Sequence, residues 1–185
     1  ADYSIKMDSN LVDKRGLYWS NLRQVLQPLP AAQDEVRTLA SQFAGDFWTG
    51  KDCSERAFKE QAKNYGIIHL AMHGILHKRV PILSSLAMTE TQDTLEDNFL
   101  QAYEISRLEL NAQLVVLSAC ETGYGKFEQG EGVMSLARSF MHAGTSSLVV
   151  SLWQVNDNST ARIMKTFYQY LSEGMNKAAA LRQAK

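Results

Sequence analysis

Short apolar runs alternate with segments of helical periodicity along most of this chain. The three runs of strand length cover residues 67–72, 114–118 and 147–152. Each is rich in aliphatic residues and bounded by turn signals, which is typical of a strand buried on both faces of a parallel sheet. Their alternation with helices predicts an α/β fold whose parallel sheet is covered by right-handed crossovers.

Helices are predicted where apolar residues recur at three- and four-residue spacing, or where a capping residue opens such a pattern. The predicted helices cover residues 31–44, 102–108, 131–141 and 178–184, and two more run to residues 65 and 171. Asp52 or Ser54 could cap the first of these two, and Asn156 or Asp157 the second. Residues 74–84 and 90–98 are predicted as loops, with a short strand at 86–88 between them. Because residues 90–98 are polar and acidic, that loop is predicted to be exposed and mobile.

Two of the predicted strands are followed by residues that can do chemistry. His73 and Gly74 follow the first strand, and Cys120 follows the second. The carboxyl ends of parallel strands meet at one edge of the sheet, where open α/β folds place their sites. A histidine can take the proton of a neighbouring thiol, and the thiolate is a nucleophile. The backbone N–H groups of Gly74 and Cys120 are candidate donors for an oxyanion hole. The pattern predicts a cysteine endopeptidase.

The same residues allow other interpretations. A buried cysteine is most often only a small hydrophobic residue, but the polar residues 121–123 indicate that Cys120 lies at a reachable surface loop. The four-residue spacing of His69, His73 and His77 would suit zinc if the segment were a helix. The neighbouring residues favour a strand and no further ligand completes the set, so no metal site is predicted. His69 is predicted to be a core histidine with satisfied hydrogen bonds.

The composition narrows the classes of function. The chain has 185 residues, of which 45% are hydrophobic and 21% charged, as expected for one globular domain. A formal net charge of −1 leaves no electrostatic footprint for direct binding of nucleic acid. No apolar run approaches the ~20 residues of a membrane helix, so no membrane partner is expected. Two cysteines, Cys53 and Cys120, make no disulfide framework, so the expected compartment is the cytoplasm.

An ordered set of motifs resembles the CHAT domain, a caspase-like and separase-like cysteine peptidase domain found with tetratricopeptide repeats. The motifs are Leu29-Pro30-Ala31-Ala32 with Glu35, His69-Leu70-Ala71-x-His73-Gly74, Pro81-x-x-Ser84-x-Leu86, Glu104-Ile105, Leu117-Ser118-Ala119-Cys120-Glu121-Thr122-Gly123, Gly130-Glu131-Gly132, Ser151-Leu152-Trp153-x-Val155-x-Asp157 and Ala180-Leu181. Their occurrence in this order is highly specific for the family.

The resemblance implies a caspase–haemoglobinase fold, which is a three-layer α/β sandwich with a mainly parallel central sheet. It implies that His73 is the catalytic histidine and Cys120 the nucleophile, with backbone amides as the oxyanion hole and no third catalytic residue. Neither a cofactor nor a metal is implied. The expected partners are a protein or peptide substrate and a tetratricopeptide-repeat region in the same chain or in a partner chain.

The resemblance also places the segment 151–157 along the primary specificity pocket. There Asp157 would hold a basic side chain of the substrate, although it could equally cap the helix that follows. Trp153 either forms a wall of the pocket or packs in the core. Glu121 either faces the pocket or lies in solvent.

Residues 1–185 are expected to form a single CHAT peptidase domain, with an irregular segment 1–30 before a core of residues 31–185. The chain is expected to be truncated at both ends, because the upstream repeats and a motif that the family carries near its C-terminus are missing. The peptidase would act in a regulated or signalling role. Two alternatives stay open: a catalytically silent scaffold or signalling module of the same fold, and an acyltransferase or hydrolase that acts on a small substrate.

Overall fold

The computed structural model describes residues 26, 28–77, 79–118, 131–151 and 157–185, with the backbone alone at 131–132 and 157–158. The helices are α1 (Pro30–Gln42), α2 (Glu55–Gln61), α3 (Ala102–Ile105), α4 (Glu131–His142), α5 (Asp157–Ser172) and α6 (Lys177–Ala184). The strands are β1 (Ile67–Leu70), β2 (Gly74–Ile75), β3 (Ser85–Ala87), β4 (Phe99–Gln101), β5 (Leu114–Leu117) and β6 (Leu148–Val150). Short 3₁₀ turns occur at Gly50–Asp52, Ala62–Asn64 and Pro81–Leu83.

A parallel sheet of three strands, in the order β1-β5-β6, lies at the centre of the described structure. β1 pairs with β5 in a register that runs from Ile67↔Leu114 to Leu70↔Leu117. β6 pairs with β5 on its other side. The three strands predicted from the apolar runs are confirmed, each somewhat shorter than its run, and the chain has a mixed α/β fold.

Apolar side chains pack against both faces of β5. Leu114 and Val116 belong to a core cluster with side chains of α1, α5 and α6. Val115 and Leu117 belong to a second cluster, which includes side chains of α4. Successive side chains of a strand point to opposite faces of the sheet. Because all four residues are buried, β5 has the continuous apolar sequence of a strand covered on both faces.

Local signals account for where several helices begin. Pro30 occupies the first turn of α1, where its missing N–H leaves no hydrogen bond unmade. The Ser54 hydroxyl caps α2 by accepting from the Ala57 amide at 3.2 Å. The predicted helix 102–108 is shorter in the structure, where α3 spans four residues and begins with a capping box formed by Gln101 and Glu104. None of the helices in the described ranges is both long and apolar enough to cross a membrane.

A second, antiparallel sheet in the order β2-β3-β4 was only partly predicted. The strand predicted at 86–88 corresponds to β3, but β2 and β4 are additional. β2 has two residues, which is too short to produce an alternating pattern. β4 follows directly on the acidic segment, and all three of its residues are buried. The small sheet fixes the backbone just after His73, because β2 begins at the next residue.

The acidic segment 90–98 is more tightly held than its composition predicts. Arg56 of α2 lies 2.6 Å from the Asp93 carboxylate. Asn98 is buried and adopts a positive φ of 65°, and its side-chain oxygen accepts from Thr91. Leu95 is 81% exposed, as expected for an external turn. The segment is therefore an external turn, as predicted, with side-chain contacts to α2 and within itself that its composition did not predict.

Gly144, at the end of α4, allows the chain to approach Leu110 closely. Its φ is +110°, and a Cβ added there would lie 2.4 Å from the Leu110 carbonyl oxygen. Gly144→Ala is therefore expected to lower the free energy of unfolding by about 2–5 kcal/mol, from unfavourable φ together with overpacking. Urea denaturation followed by circular dichroism would measure this loss.

Gly174→Ala is the matched control for this prediction. Gly174 also has a positive φ, of +85°, but nothing lies within 4 Å of an added Cβ. Only the conformational cost of about 1–2 kcal/mol is expected there. Equal losses in the two variants would show that the contact with Leu110 does not constrain the fold.

Candidate functional site

His73 lies at the junction of the two sheets, after β1 and directly before β2. It is half-buried. Its carbonyl oxygen accepts a hydrogen bond from the Ala87 amide at 2.9 Å, which attaches its backbone to the end of β3. The predicted catalytic histidine is thus held by a backbone contact beyond the end of the parallel strand.

The Gly74 amide points away from β3. Gly74 lies opposite Leu86 in the antiparallel register, and the bond from Ala87 to the His73 carbonyl makes this a pair of the non-hydrogen-bonded type. In such a pair the N–H groups of the two residues point outwards from the ladder. The pairing with β3 therefore does not use this N–H, which the sequence predicts to be an oxyanion donor.

Cys120, Glu121 and Trp153 lie outside the described residues, and so does the side chain of Asp157, the first residue of α5. Their predicted roles stay predictions. The same holds for the distance between the thiol of Cys120 and the imidazole of His73. The structure does describe the two strands that lead towards the site.

The register of β1 and β5 brings the two predicted catalytic segments to the same end of the sheet. Leu70 pairs with Leu117, and the Ser118 amide donates to the Leu70 carbonyl at 2.9 Å. His73 follows Leu70 by three residues, and Cys120 follows Leu117 by three residues. The two segments therefore leave the sheet side by side at the same end. His73 and Cys120 each lie three residues beyond the last paired residue of their strand.

His69 lies in β1 within a buried polar network that also includes Glu35, Ser118 and Tyr168, called here the Glu35 network. The Nε2 atom of His69 lies 3.0 Å from Oε1 of Glu35, and Nδ1 lies 3.0 Å from the Tyr168 hydroxyl. The Ser118 hydroxyl donates to Oε2 of Glu35 at 2.9 Å. His69 is therefore a largely buried histidine whose Nδ1 shares a hydrogen bond with Tyr168, as predicted for a core histidine, but its Nε2 has no hydrogen-bond partner among the described residues.

Burial of the Glu35 network keeps the phenol of Tyr168 neutral. Glu35 is 5% exposed and Tyr168 is 6% exposed. Burial, with the negative charge of Glu35 as a second cause, raises the pKa of Tyr168. Tyr168 therefore keeps its proton at any physiological pH and can donate it to His69.

Sequence reasoning missed the network as a functional feature, although one signal was present. Glu35 lies on the same stripe of α1 as the buried residues Ala31 and Leu39, four residues from each. A charged residue on the apolar face of a helix requires a partner inside the protein. The partners themselves were not predictable, because Ser118 is 83 residues away in sequence.

His77 has a structural role in the loop between β2 and β3. Its backbone N–H donates to the Ser84 hydroxyl at 3.0 Å, and its Nδ1 atom accepts from the Val80 amide at 3.0 Å. His69 and His77 are therefore engaged in different contacts. The zinc interpretation of the four-residue spacing gains no support from them.

Three carboxylates in the described part of the chain lie close enough to hold a cation. Oxygens of Glu55, Glu96 and Glu104 lie within 4.8 Å of one another. The ammonium group of Lys59 lies 2.7 Å from Glu55, 2.7 Å from Glu96 and 2.8 Å from Glu104. These four residues are called here the Lys59 cluster. The Lys59 ammonium group therefore compensates part of the negative charge of these three carboxylates.

The pKa values in the Lys59 cluster follow from burial and pairing. Burial, only partly offset by Lys59, raises the pKa of Glu55 to about 7. Burial alone would lower the pKa of Lys59, but hydrogen bonds to Glu104, Glu55 and Glu96 outweigh it and raise that pKa. The cluster ties α2 to α3 and to the acidic segment.

A cavity of about 620 Å³ borders the other side of β1. Its lining includes Trp48, Tyr65, Ile67, His69 and Met72. His73 is not among the described residues that line it. The cavity therefore adjoins the Glu35 network, through His69 and Tyr168.

Comparison with known proteins identifies the family. Residues 13–185 match the family model described as the CHAT domain. Tetratricopeptide repeat protein 28 of Homo sapiens is 33% identical over 90 residues, and the protein of the same name from Mus musculus is 31% identical over 90 residues. Each alignment covers 49% of this chain and 4% of the relative, so the chain spans a small part of these relatives' length.

The Lys59 cluster gives a prediction of stability as a function of pH. Lys59→Met leaves a carboxylate that is 1% exposed, that of Glu55, without its cation. The free energy of unfolding of this variant is expected to fall by roughly 2–4 kcal/mol at pH 8. The loss is somewhat smaller than for a fully buried ion pair, because Lys59 is partly exposed. Denaturation in urea at pH 8 and pH 5 would measure the loss.

The sign of the pH dependence follows from the raised pKa of Glu55. In the folded state Glu55 is protonated below about pH 7, so the uncompensated charge in Lys59→Met disappears as the pH falls. The loss of stability should therefore be smaller at pH 5 than at pH 8. The exposed Lys63 provides the control, since Lys63→Met should change stability little at either pH. Equal losses for Lys59→Met at both values would contradict this account of the cluster.

Proposed function

Because the chain belongs to the CHAT domain family, which is related to the caspase-like peptidases, we propose that it is a cysteine endopeptidase whose dyad is His73 and Cys120. The observation that carries this proposal is the parallel register of β1 and β5. It sends both segments out of the same end of the sheet, where α/β folds place their sites.

The chemistry uses the side chains and backbone amides of the two strand ends. His73 takes the proton of the Cys120 thiol, and the thiolate attacks the carbonyl carbon of the substrate's peptide bond. The N–H groups of Gly74 and Cys120 donate to the resulting oxyanion. His73 gives its proton to the leaving amine, and a thioester remains on Cys120. Water then attacks the thioester with His73 as the base, which releases the acid and restores the thiol.

The packing on both faces of β5 supports the finer assignment of the fold. Helices α1, α5 and α6 share one core cluster with β5, and α4 shares the other. A caspase–haemoglobinase sandwich has helices on both faces of a mainly parallel sheet. In this proposal the described strands β1, β5 and β6 belong to that sheet.

The substrate is proposed to be a protein with a basic residue on the acyl side of the cleaved bond. Asp157 begins α5 directly after the segment that follows β6. Trp153 and Glu121 complete the proposed pocket. The relatives' names refer to tetratricopeptide repeats, which supports regulation by a repeat region in the same chain or in a partner. Cytoplasmic location is part of the proposal.

Covalent labelling with two peptide ketone probes, one ending in Arg and one in Leu, tests the dyad. Cys120 is expected to be labelled rapidly, and His73→Ala is expected to abolish that labelling. Cys53 is the internal control, because burial raises the pKa of its thiol and so lowers its reactivity. Intact mass and peptide mapping would identify the labelled residue. Labelling of neither cysteine, or of both equally, would contradict the proposal and favour the scaffold function.

The role of Asp157 is tested separately with two substitutions. Asp157→Asn keeps a side chain that can cap a helix but removes the charge. This variant is expected to lose the preference for the Arg probe, because the rate of labelling by that probe falls about 10-fold or more. Its thermal midpoint is expected to stay nearly unchanged. Asp157→Ala removes both features. If Asp157→Asn keeps the Arg preference and only Asp157→Ala lowers the thermal midpoint, Asp157 is a helix cap and not a specificity residue.

A further inference from the structure

The carboxylate of Glu35 joins three elements of the fold. Glu35 lies on α1, and its two oxygens contact His69 of β1 at 3.0 Å and Ser118, just after β5, at 2.9 Å. The side chains of Glu35 and His69 are 4% and 11% exposed. A carboxylate so deeply buried is tolerated only where its partners are in place. Moving a partner away from Glu35 therefore costs free energy.

Two hydrogen bonds orient the side chains of the Glu35 network. The Tyr168 hydroxyl donates to Nδ1 of His69, and the Ser118 hydroxyl donates to Oε2 of Glu35. Nε2 of His69 and Oε1 of Glu35 lie 3.0 Å apart but outside hydrogen-bond geometry. Within the described residues, Ser118 is therefore the side chain that donates a hydrogen bond to the Glu35 carboxylate.

Ser118 is the point where the network meets the chain that carries the nucleophile. Its N–H donates to the Leu70 carbonyl of β1 at 2.9 Å, and its hydroxyl donates to Glu35. The residue is thus held by its backbone on one side and by its side chain on the other. Cys120 follows two residues later, so the direction in which the chain leaves Ser118 determines where the thiol lies.

We propose that Glu35 and Ser118 are positioning residues that hold the backbone preceding Cys120 so that its thiol meets His73. This inference rests on the proposed function and assigns part of its geometry to a network of side chains that take no part in proton transfer. A displacement of about 1 Å in a reacting group is enough to lower a rate by about two orders of magnitude. The contact between Ser118 and Glu35 restricts that displacement.

The test compares the variants Ser118→Ala and Ser118→Thr with the wild-type protein. The probe is iodoacetamide, and the quantity measured is the rate of alkylation of Cys120 as a function of pH. Ser118→Ala is expected to slow alkylation at pH 7 by about 10-fold or more. It is also expected to move the midpoint of the pH profile upwards, because the Cys120 thiolate is no longer held beside His73. Ser118→Thr keeps the hydroxyl and is expected to restore the rate to within about threefold.

Two buried glutamates separate positioning from loss of stability. Glu35→Leu and Glu55→Leu each remove a carboxylate that is 5% exposed or less, but Glu55 belongs to the Lys59 cluster. Both variants are expected to lower the midpoint of urea denaturation, whereas only Glu35→Leu is expected to shift the pH profile of Cys120. Equal pH profiles in Ser118→Ala, Glu35→Leu and the wild-type protein would overturn the inference.

His73→Ala, measured in the same experiment, distinguishes the two levels of the proposal. If His73→Ala leaves the profile of Cys120 unchanged and ordinary for a thiol, the proposed dyad is wrong and the positioning role falls with it. If His73→Ala abolishes the low-pH reactivity but Ser118→Ala does not alter it, the dyad stands and the positioning role alone is wrong.

Discussion

The described structure depends above all on the parallel pairing of β1 with β5. This pairing sets the register that leads from Leu70 towards His73 and from Leu117 towards Cys120. Because the side chains of a strand alternate between faces, the same pairing divides the apolar residues of β5 between two core clusters. A shift of one residue would exchange the two faces and separate the strand ends. The core and the site are therefore specified by one set of hydrogen bonds.

The parallel strands were predictable because burial on both faces leaves a signature that sequence alone shows. Their segments are short, apolar and followed by small or polar residues, and the structure confirms all three. The small antiparallel sheet left no such signature. β2 has two residues and β4 has three, so neither is long enough to show a period. The contacts of the acidic segment were not predictable because Arg56 and Lys59 of α2 make them, and these residues lie far away in sequence.

The location of the candidate site was predictable because its proposed residues directly follow strands in the sequence. His73 and Gly74 lie beyond the end of β1, where the sequence predicts them, whereas the orientation of the Gly74 amide follows only from the register with β3. The part that sequence did not reveal is the Glu35 network. Its members lie on four separate segments of the sequence, and only the fold brings them together. They are Glu35 on the apolar face of α1, His69, Ser118 and Tyr168.

The buried charge of Glu35 also limits how this chain can change over evolutionary time. Replacement of Glu35 alone would leave the Ser118 hydroxyl without its acceptor, and replacement of Ser118 would leave a buried carboxylate without its hydrogen-bond donor. Glu35 and Ser118 are therefore energetically coupled. A sequence without this pair needs apolar side chains at the contact between α1 and the end of β5, and the two replacements have to be made together.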